Sequence, residues 1–339
     1  MKKNKILLVA LALLLSVTLL AGCGSNESLT PKEKLDKAVN NMMDMKSAEQ
    51  SGEIGFNFDI PSSDPMTGAY LQMFNNAKIN INAKTDMENK KSKAEMAVNL
   101  GGMSYTMEMF STAEKIVMKI PMIPQYLYMD MNEETLGVTK EEQEEFTNIS
   151  RDMAKSLLGS VKEDYIKENG DKEIEIEGKK VDTTHLAIDV TNEEAKGLIK
   201  DIVISMIEDE NMRKYFVKSM KTTSNMQGAE LSEEEINSQF DEMKKQVEEG
   251  FKELENEINF DKIAINYFID SDNNLRKLDF EIAVTGKDQE TGEDISVALN
   301  GKINVWNING DITVELPELT EENSMNMMEM QNQMMMPIQ

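Results

Sequence analysis

Methionine, histidine and clustered acids are the side chains here whose types and spacing bear on chemistry. Seven methionines, Met325, Met327, Met328, Met330, Met334, Met335 and Met336, crowd the C-terminus. Thioether sulfur is a soft donor, and such a cluster is able to hold Cu(I). No His or Cys lies among them to reinforce a site, and Met also serves adaptable membrane or protein contacts. Asp270-Ser271-Asp272-Asn273-Asn274, with Glu281 in the twelfth place, has part of the oxygen spacing of an EF-hand loop. The sixth place holds Leu275 instead of Gly, and the flanks alternate as strands do. A polar hairpin turn is the better reading. His185 is the only histidine. Alternation puts it with Thr183, Ala187 and Asp189 on a wet face, opposite Leu186, Ile188 and Val190. A Ser-His-Asp device would need it, yet no Gly-x-Ser-x-Gly elbow occurs. No Walker loop or Gly-x-Gly-x-x-Gly is present either. Arg151, Arg213 and Arg276 are too few for a phosphate-binding cluster. Acidic residues are everywhere, but paired-carboxylate chemistry has no positive support. The expectation is a protein that is not an enzyme, with no catalytic residue, no metal and no cofactor.

Charge and cysteine usage narrow the class further. The 62 acidic and 36 basic side chains give a formal net charge of −26 over 339 residues. Such a surface repels phosphate backbones, so no nucleic-acid partner is expected. One Cys and one His cannot build a zinc site of the usual kind, and one Cys cannot close an internal disulfide.

That cysteine comes after a segment of a definite type. Lys2, Lys3 and Lys5 form a positive n-region, and Ile6 to Leu20 is apolar apart from Ser16 and Thr18. This is the pattern of a secretory signal. Leu20-Ala21-Gly22-Cys23 resembles a bacterial lipobox, which implies a diacylglycerol on the Cys23 sulfur and cleavage before it. Two acyl chains hold a protein on a membrane where one does not. Loss of residues 1–22 removes three lysines and moves the net charge from −26 to −29. Gly24-Ser25-Asn26-Glu27-Ser28 then reads as a short tether.

Four capping boxes announce helices. Thr30 with Glu33, Thr139 with Glu142, Thr191 with Glu194, and Ser232 with Glu235 each precede apolar residues at helical spacing. The first helix carries Leu35, Val39 and Met42. The second carries Phe146, Ile149, Met153 and Leu157. The third runs from Leu198 through Ile207 and continues to Tyr215 and Phe216. The fourth runs from Ile236 to Ile258. Strands alternate: Ile54 to Ile60, Ile79 to Ala83, Met96 and Val98, Met103 to Met109, Ile116 to Ile120, Ile263 to Ile269, Leu278 to Val284, Ile295 to Val305, and Ile312 to Leu316. Nearly all are apolar on one side only. That predicts a large curved antiparallel sheet with amphipathic helices packed on its concave, apolar face, an α+β fold.

Several stretches carry a family resemblance. Leu35-Asp36-Lys37-Ala38 to Met45-Lys46-Ser47-Ala48 leads into a long strand from Gly52. Val181-Asp182-Thr183-Thr184-His185-Leu186 runs into the helix from Thr191. Ile265-Asn266-Tyr267-Phe268-Ile269-Asp270 precedes Asn274-Leu275-Arg276-Lys277. Trp306-Asn307 precedes Ile312-Thr313-Val314-Glu315-Leu316-Pro317, expected to close the sheet. Together these resemble bacterial, Gram-positive-type lipoproteins of the LolA/LppX/LprG-like superfamily. The resemblance implies a half-open β-barrel lidded by helices, whose concave cavity holds acyl chains.

The domains expected are a lipoprotein signal peptide at 1–22, a lipidated tether at 23–29, one LolA/LppX-like domain at 30–319, and a Met-rich, disordered tail at 320–339. The function expected is a lipid-anchored protein on the extracytoplasmic face of the cell membrane. It would bind a lipid, glycolipid or other acyl-chain ligand between sheet and helices, as carrier or sensor. The ligand-pocket residues expected are Phe56, Phe58, Ile79, Ile81, Met96, Val98, Tyr105, Met107, Met118, Ile265, Tyr267, Phe280 and Ile282. The alternative is a non-enzymatic envelope interaction or assembly module, with a protein partner and a solid core.

Overall fold

The computed structural model describes residues 29–61, 66, 68, 71, 74–132, 139–159, 161–226, 231–254, 257–287, 292–327 and 330. Signal segment, lipobox and tether to residue 28 lie outside the described residues, as do Met328 and Met334 to Met336.

Among the described residues, five helices of two turns or more obey the capping logic. The first, α1, spans Pro31–Met43, with Pro at its start and both halves of the Thr30–Glu33 capping box formed. The second, α2, spans Lys140–Gly159, and Glu142 accepts from the Thr139 amide at 2.8 Å. The long third helix expected from periodicity is two helices, α3 (Asn192–Glu208) and α4 (Glu210–Met226). Asp209 divides them. Its backbone is extended, and its Oδ1 accepts from the amides of Asn211 (2.6 Å) and Met212 (3.3 Å). That is an N-cap, and it starts a new helix where the apolar spacing alone ran on. The last helix, α5, spans Glu233–Leu254 behind the Ser232–Glu235 pair.

Among the described residues twelve strands form one sheet. They are β1 (Ser47–Asp59), β2 (Lys78–Asp86), β3 (Lys91–Leu100), β4 (Met103–Ser111), β5 (Lys115–Lys119), β6 (Tyr126–Asp130), β7 (Ile166–Ile176), β8 (Lys179–Asp189), β9 (Ile258–Ile269), β10 (Leu275–Lys287), β11 (Asp294–Trp306) and β12 (Ser324–Asn326). Their spatial order is β12-β6-β5-β4-β3-β2-β1-β11-β10-β9-β8-β7. Every pairing is antiparallel except β12 with β6.

The strand expected over 312–316 is absent: residues 311–320 are neither helix nor strand. The reason is topological. β11 already pairs with β1 on one side and β10 on the other, so a further hairpin strand finds no free edge. The chain instead goes on to the far edge, where Ser324, Met325 and Asn326 pair with Tyr126, Leu127 and Tyr128. Residues expected to begin a disordered tail therefore complete the sheet.

The core lies on one face of β7 to β11. Leu35, Ala38 and Val39 of α1 and Ala195, Leu198 and Ile199 of α3 join Leu186, Ile188, Ile263, Tyr267, Leu278 and Leu299 in one cluster. Helix α1 is also tied to the β9–β10 turn. The Asn41 side-chain amide donates to the carbonyls of Asp272 (3.0 Å) and Asn273 (2.9 Å). Helices α2, α4 and α5 pack mainly on one another and on α3. Polar links hold them: Arg213 to Asn237 and Asp241, and Lys218 to Glu145.

Candidate functional site

Cross-strand register decides which side chains share a face, because directly opposed residues point the same way. One row runs Phe280, Gly301, Ile54, Ile79, Val98, Tyr105. The next runs Leu278, Ile303, Gly52, Ile81, Met96, Met107. A third runs Gln50, Ala83, Ala94, Met109, Met118, Leu127, Met325. Phe56 opposes Leu299, and Phe58 opposes Val297. All thirteen residues expected to line a pocket thus lie on one apolar face, the face that carries the core.

Their surroundings differ. Ile265, Tyr267, Phe280 and Ile282 belong to the close-packed cluster under α1 and α3. They fill a core. Tyr267 is fully buried, and its hydroxyl has no hydrogen-bond partner among the described residues. Burial pushes its phenol far above the usual tyrosine range. Phe56 packs at the margin of this cluster, and its ring stacks on Phe58 at 6.1 Å. Ile79, Ile81, Met96, Val98, Tyr105, Met107 and Met118 lie beyond it, on β2 to β5, and are half-buried. Met109, between Ala94 and Met118 on the same face, is 42 % exposed. The apolar face is therefore continuous, with a filled half at β8 to β11, a more open stretch at β2 to β5, and a buried Leu127 on β6.

The opposite face of that open half is built from ion pairs. Lys84 meets Glu49 at 2.9 Å, Lys93 meets Glu108 at 2.9 Å, and Lys115 meets Asp130 at 3.1 Å. The Lys84 hydrogen bond holds Glu49 below the usual glutamate range, against the opposing pull of burial, with Asn307 adding to the lowering. Lysine ammoniums also lie over the rings of Phe110, Tyr128 and Tyr126. One side of the sheet thus offers thioether and aliphatic surface, and the other sets its charges around the buried Phe110 and Val117.

The remaining candidates have structural roles. His185 does lie opposite the core face, but that face is not bare there. Its ring stacks on Phe268 at 4.8 Å and 8°, and one ring nitrogen lies 2.9 Å from Asn266 Oδ1. Phe268 packs with Ile174 and Ile176, with Val181 and Trp306 beside them, as a satellite cluster. The Asp270 segment is the β9–β10 turn. Asp270 Oδ1 accepts from the amides of Asp272 (3.0 Å) and Asn274 (2.8 Å), and Oδ2 pairs with Arg276. This carboxylate is engaged in its own hairpin. Among the described residues no group of three or more His, Cys, Asp and Glu is gathered to hold a metal ion. Among them, too, no helix is long and apolar enough to cross a membrane.

Leu127 and Met325 join the apolar face without having been marked by sequence. The β6 run Tyr126–Asp130 is short, with aromatics flanking its one buried Leu, and β12 is three residues long. Neither is long enough to show a clear alternation.

Fold and face define a mixed α+β protein on one large, unclosed, mostly antiparallel sheet. The sequence matches no family model and no curated protein.

Proposed function

We propose that this chain is a lipid-anchored, extracytoplasmic protein that takes an acyl-chain ligand on the open half of its apolar face, as carrier or sensor. The observation that carries the reading is the division of one continuous apolar face. α1 and α3 pack against the half at β8 to β11, while Ile81, Met96, Val98, Tyr105, Met107 and Met118 remain half-buried and Met109 is exposed. Contiguous apolar surface left partly uncovered marks a binding site more often than an idle one. Methionine suits ligands of variable shape, because its unbranched thioether repacks at little cost. In this reading the sheet curves into a half-open barrel, and the helices lie over its concave side, as in the LolA/LppX/LprG-like lipoproteins that the sequence resembles. Diacylglycerol on Cys23 holds the protein at the membrane surface.

Mature protein carrying Cys23→Ser, purified without detergent, tests the pocket. Native mass spectrometry is expected to find co-purifying lipid, and a fluorescent fatty acid to bind. Met107→Glu places a charge in the middle of the open half. It is expected to weaken binding at least about tenfold, or ~1.4 kcal/mol. No co-purifying lipid together with no fatty-acid affinity overturns the reading. The anchor is tested separately: Cys23→Ala is expected to leave the membrane fraction.

One observation favours the second reading, an envelope interaction module. Ile265, Tyr267, Phe280 and Ile282 are packed solid, so a ligand has only half of the face expected for it. A protein that keeps its fold, binds no acyl chain and retains a protein partner in crosslinked envelopes supports that module.

A further inference from the structure

Methionine is distributed unevenly on the apolar face. The cluster under α1 and α3 is built from Leu, Ile, Val, Phe, Tyr and Ala, and its buried members include no methionine. On the open stretch, methionines meet one another. Met96 of β3 is directly opposed to Met107 of β4, and Met109 of β4 to Met118 of β5. Met107 and Met109 stand two residues apart on β4 and so share its face. Four thioethers from three adjacent strands thus make one patch. Directly opposed Cβ atoms lie about 4.5–5.5 Å apart. Each sulfur sits beyond its Cβ on an unbranched, flexible chain, so neighbouring sulfurs can turn toward one point.

The patch is reachable. Met109 is 42 % exposed, with the small Ala94 directly beside it, and the other three are half-buried. Ile81 opposes Met96, and Leu127 opposes Met118. The nearest acids in sequence, Glu95 and Glu108, alternate with these methionines and oppose each other on the other face, where Lys93 pairs with Glu108. Met103, further along β4, is engaged elsewhere: the Tyr105 hydroxyl donates to its sulfur at 3.3 Å. Such a donor set selects by softness. Thioethers suit Cu(I), whereas magnesium and calcium take oxygen, and zinc takes thiolate, imidazole or carboxylate. Neutral ligands leave the charge of the ion uncancelled. The net charge of −26 on the chain supplies a favourable field for a cation at its surface.

We propose that Met96, Met107, Met109 and Met118 form a binding site for a soft monovalent cation of the Cu(I) class on the open stretch of the sheet. Met107 and Met109 hold the centre from β4, and Met96 and Met118 close on the ion from either side. The strand ladder sets the spacing of the four side chains before the ion arrives, so binding requires only rotamer changes in side chains that repack easily. No electron is transferred: the ion enters and leaves in the same oxidation state. The site does not rest on the acyl-chain reading, and its test contains no lipid.

The test uses the mature protein with Cys23→Ser and methionine methyls labelled with ¹³C, titrated with silver nitrate in chloride-free buffer. Ag(I) is a soft, redox-inert ion of the same charge. The methyl signals of Met96, Met107, Met109 and Met118 are expected to shift together in a single step, while Met42, packed against the core under α1, keeps its position. Shifts confined to Met325 and the methionines after it, or no shifts at all, overturn the proposal. Zinc acetate is expected to leave the four signals in place, and an equal response to zinc overturns the soft-cation assignment. Met107→Leu with Met109→Leu keeps apolar volume and removes both β4 sulfurs. Its Met96 and Met118 signals are expected to respond only at silver concentrations about tenfold or more above those for the parent. An unchanged titration of those two signals overturns the site.

Discussion

The ring of Phe280 lies directly on Gly301, its partner across the β10–β11 ladder. A Cβ added at Gly301 would come within 2.6 Å of Phe280 Cζ and 2.8 Å of the Glu53 carbonyl oxygen. The missing side chain is thus the space that the ring occupies, and Phe280 joins the buried cluster there. Gly301→Ala must displace a buried aromatic or the β1 backbone. Overpacking of this kind costs about 1–3 kcal/mol, expected as a lower midpoint in urea unfolding with an unchanged slope.

Tyr267 offers the opposite case. Its hydroxyl is buried without a partner among the described residues, a state that costs about 1–3 kcal/mol relative to a satisfied one. Tyr267→Phe keeps the ring and removes that cost. The variant is expected to be as stable as the parent or more so, by about 1 kcal/mol. A loss of more than that in chemical denaturation would show that the hydroxyl is satisfied in solution.

The two halves of the apolar face should respond differently to truncation. Leu186 is completely buried in the cluster under the helices. Leu186→Ala is expected to cost about 2–5 kcal/mol. Met109 is 42 % exposed, and Met109→Ala is expected to cost no more than about 1 kcal/mol. Equal, large losses at both sites in thermal unfolding would mean that the face is uniformly filled.

Acid should act on the helix starts. The carboxylates of Glu142 and Glu194 accept first from the backbone amide and then from the hydroxyl of Thr139 and Thr191, and Glu235 accepts first from the Ser232 hydroxyl and then from its amide. Each is held below the usual glutamate range. A carboxyl lowered in the folded state stabilises fully above its unfolded value, and that contribution is lost as pH falls through the lowered one. Helicity of α2, α3 and α5 is therefore expected to decline on acidification from about pH 4.5 downward, tracked by circular dichroism. Replacing the three glutamates by Gln should flatten that decline. Thr191→Ala, which removes the cap of α3, is expected to cost about 1 kcal/mol.

Local signals were the legible part of this fold. Four capping boxes mark four helix starts because Thr or Ser with Glu three residues on satisfies amides wherever the helix ends up. Period-2 alternation marks the apolar face for the same reason: it requires no knowledge of neighbours. Features that depended on neighbours were hidden. Asp209 caps α4 from the middle of an unbroken apolar period. Ile312 to Leu316 alternates like a strand but has no edge to join, and Ser324 to Asn326 scarcely alternates yet finds one. The candidate site divides likewise. Its shared face comes from alternation, but Tyr105 and Tyr267 look alike in sequence. Only the positions of α1 and α3 make one half-buried and the other sealed.

The pairing of β12 with β6 also orders events in time. Residues 126–130 are made well before residues 324–326, the strand that covers their free edge. Until residues 324–326 are made the β6 edge stays open to any other extended chain, a recognised route to aggregation. β6 meets that interval as a five-residue strand, and a short edge is a poor template for a stranger. A chain that stops short of residue 324 leaves β6 as an exposed border of the sheet.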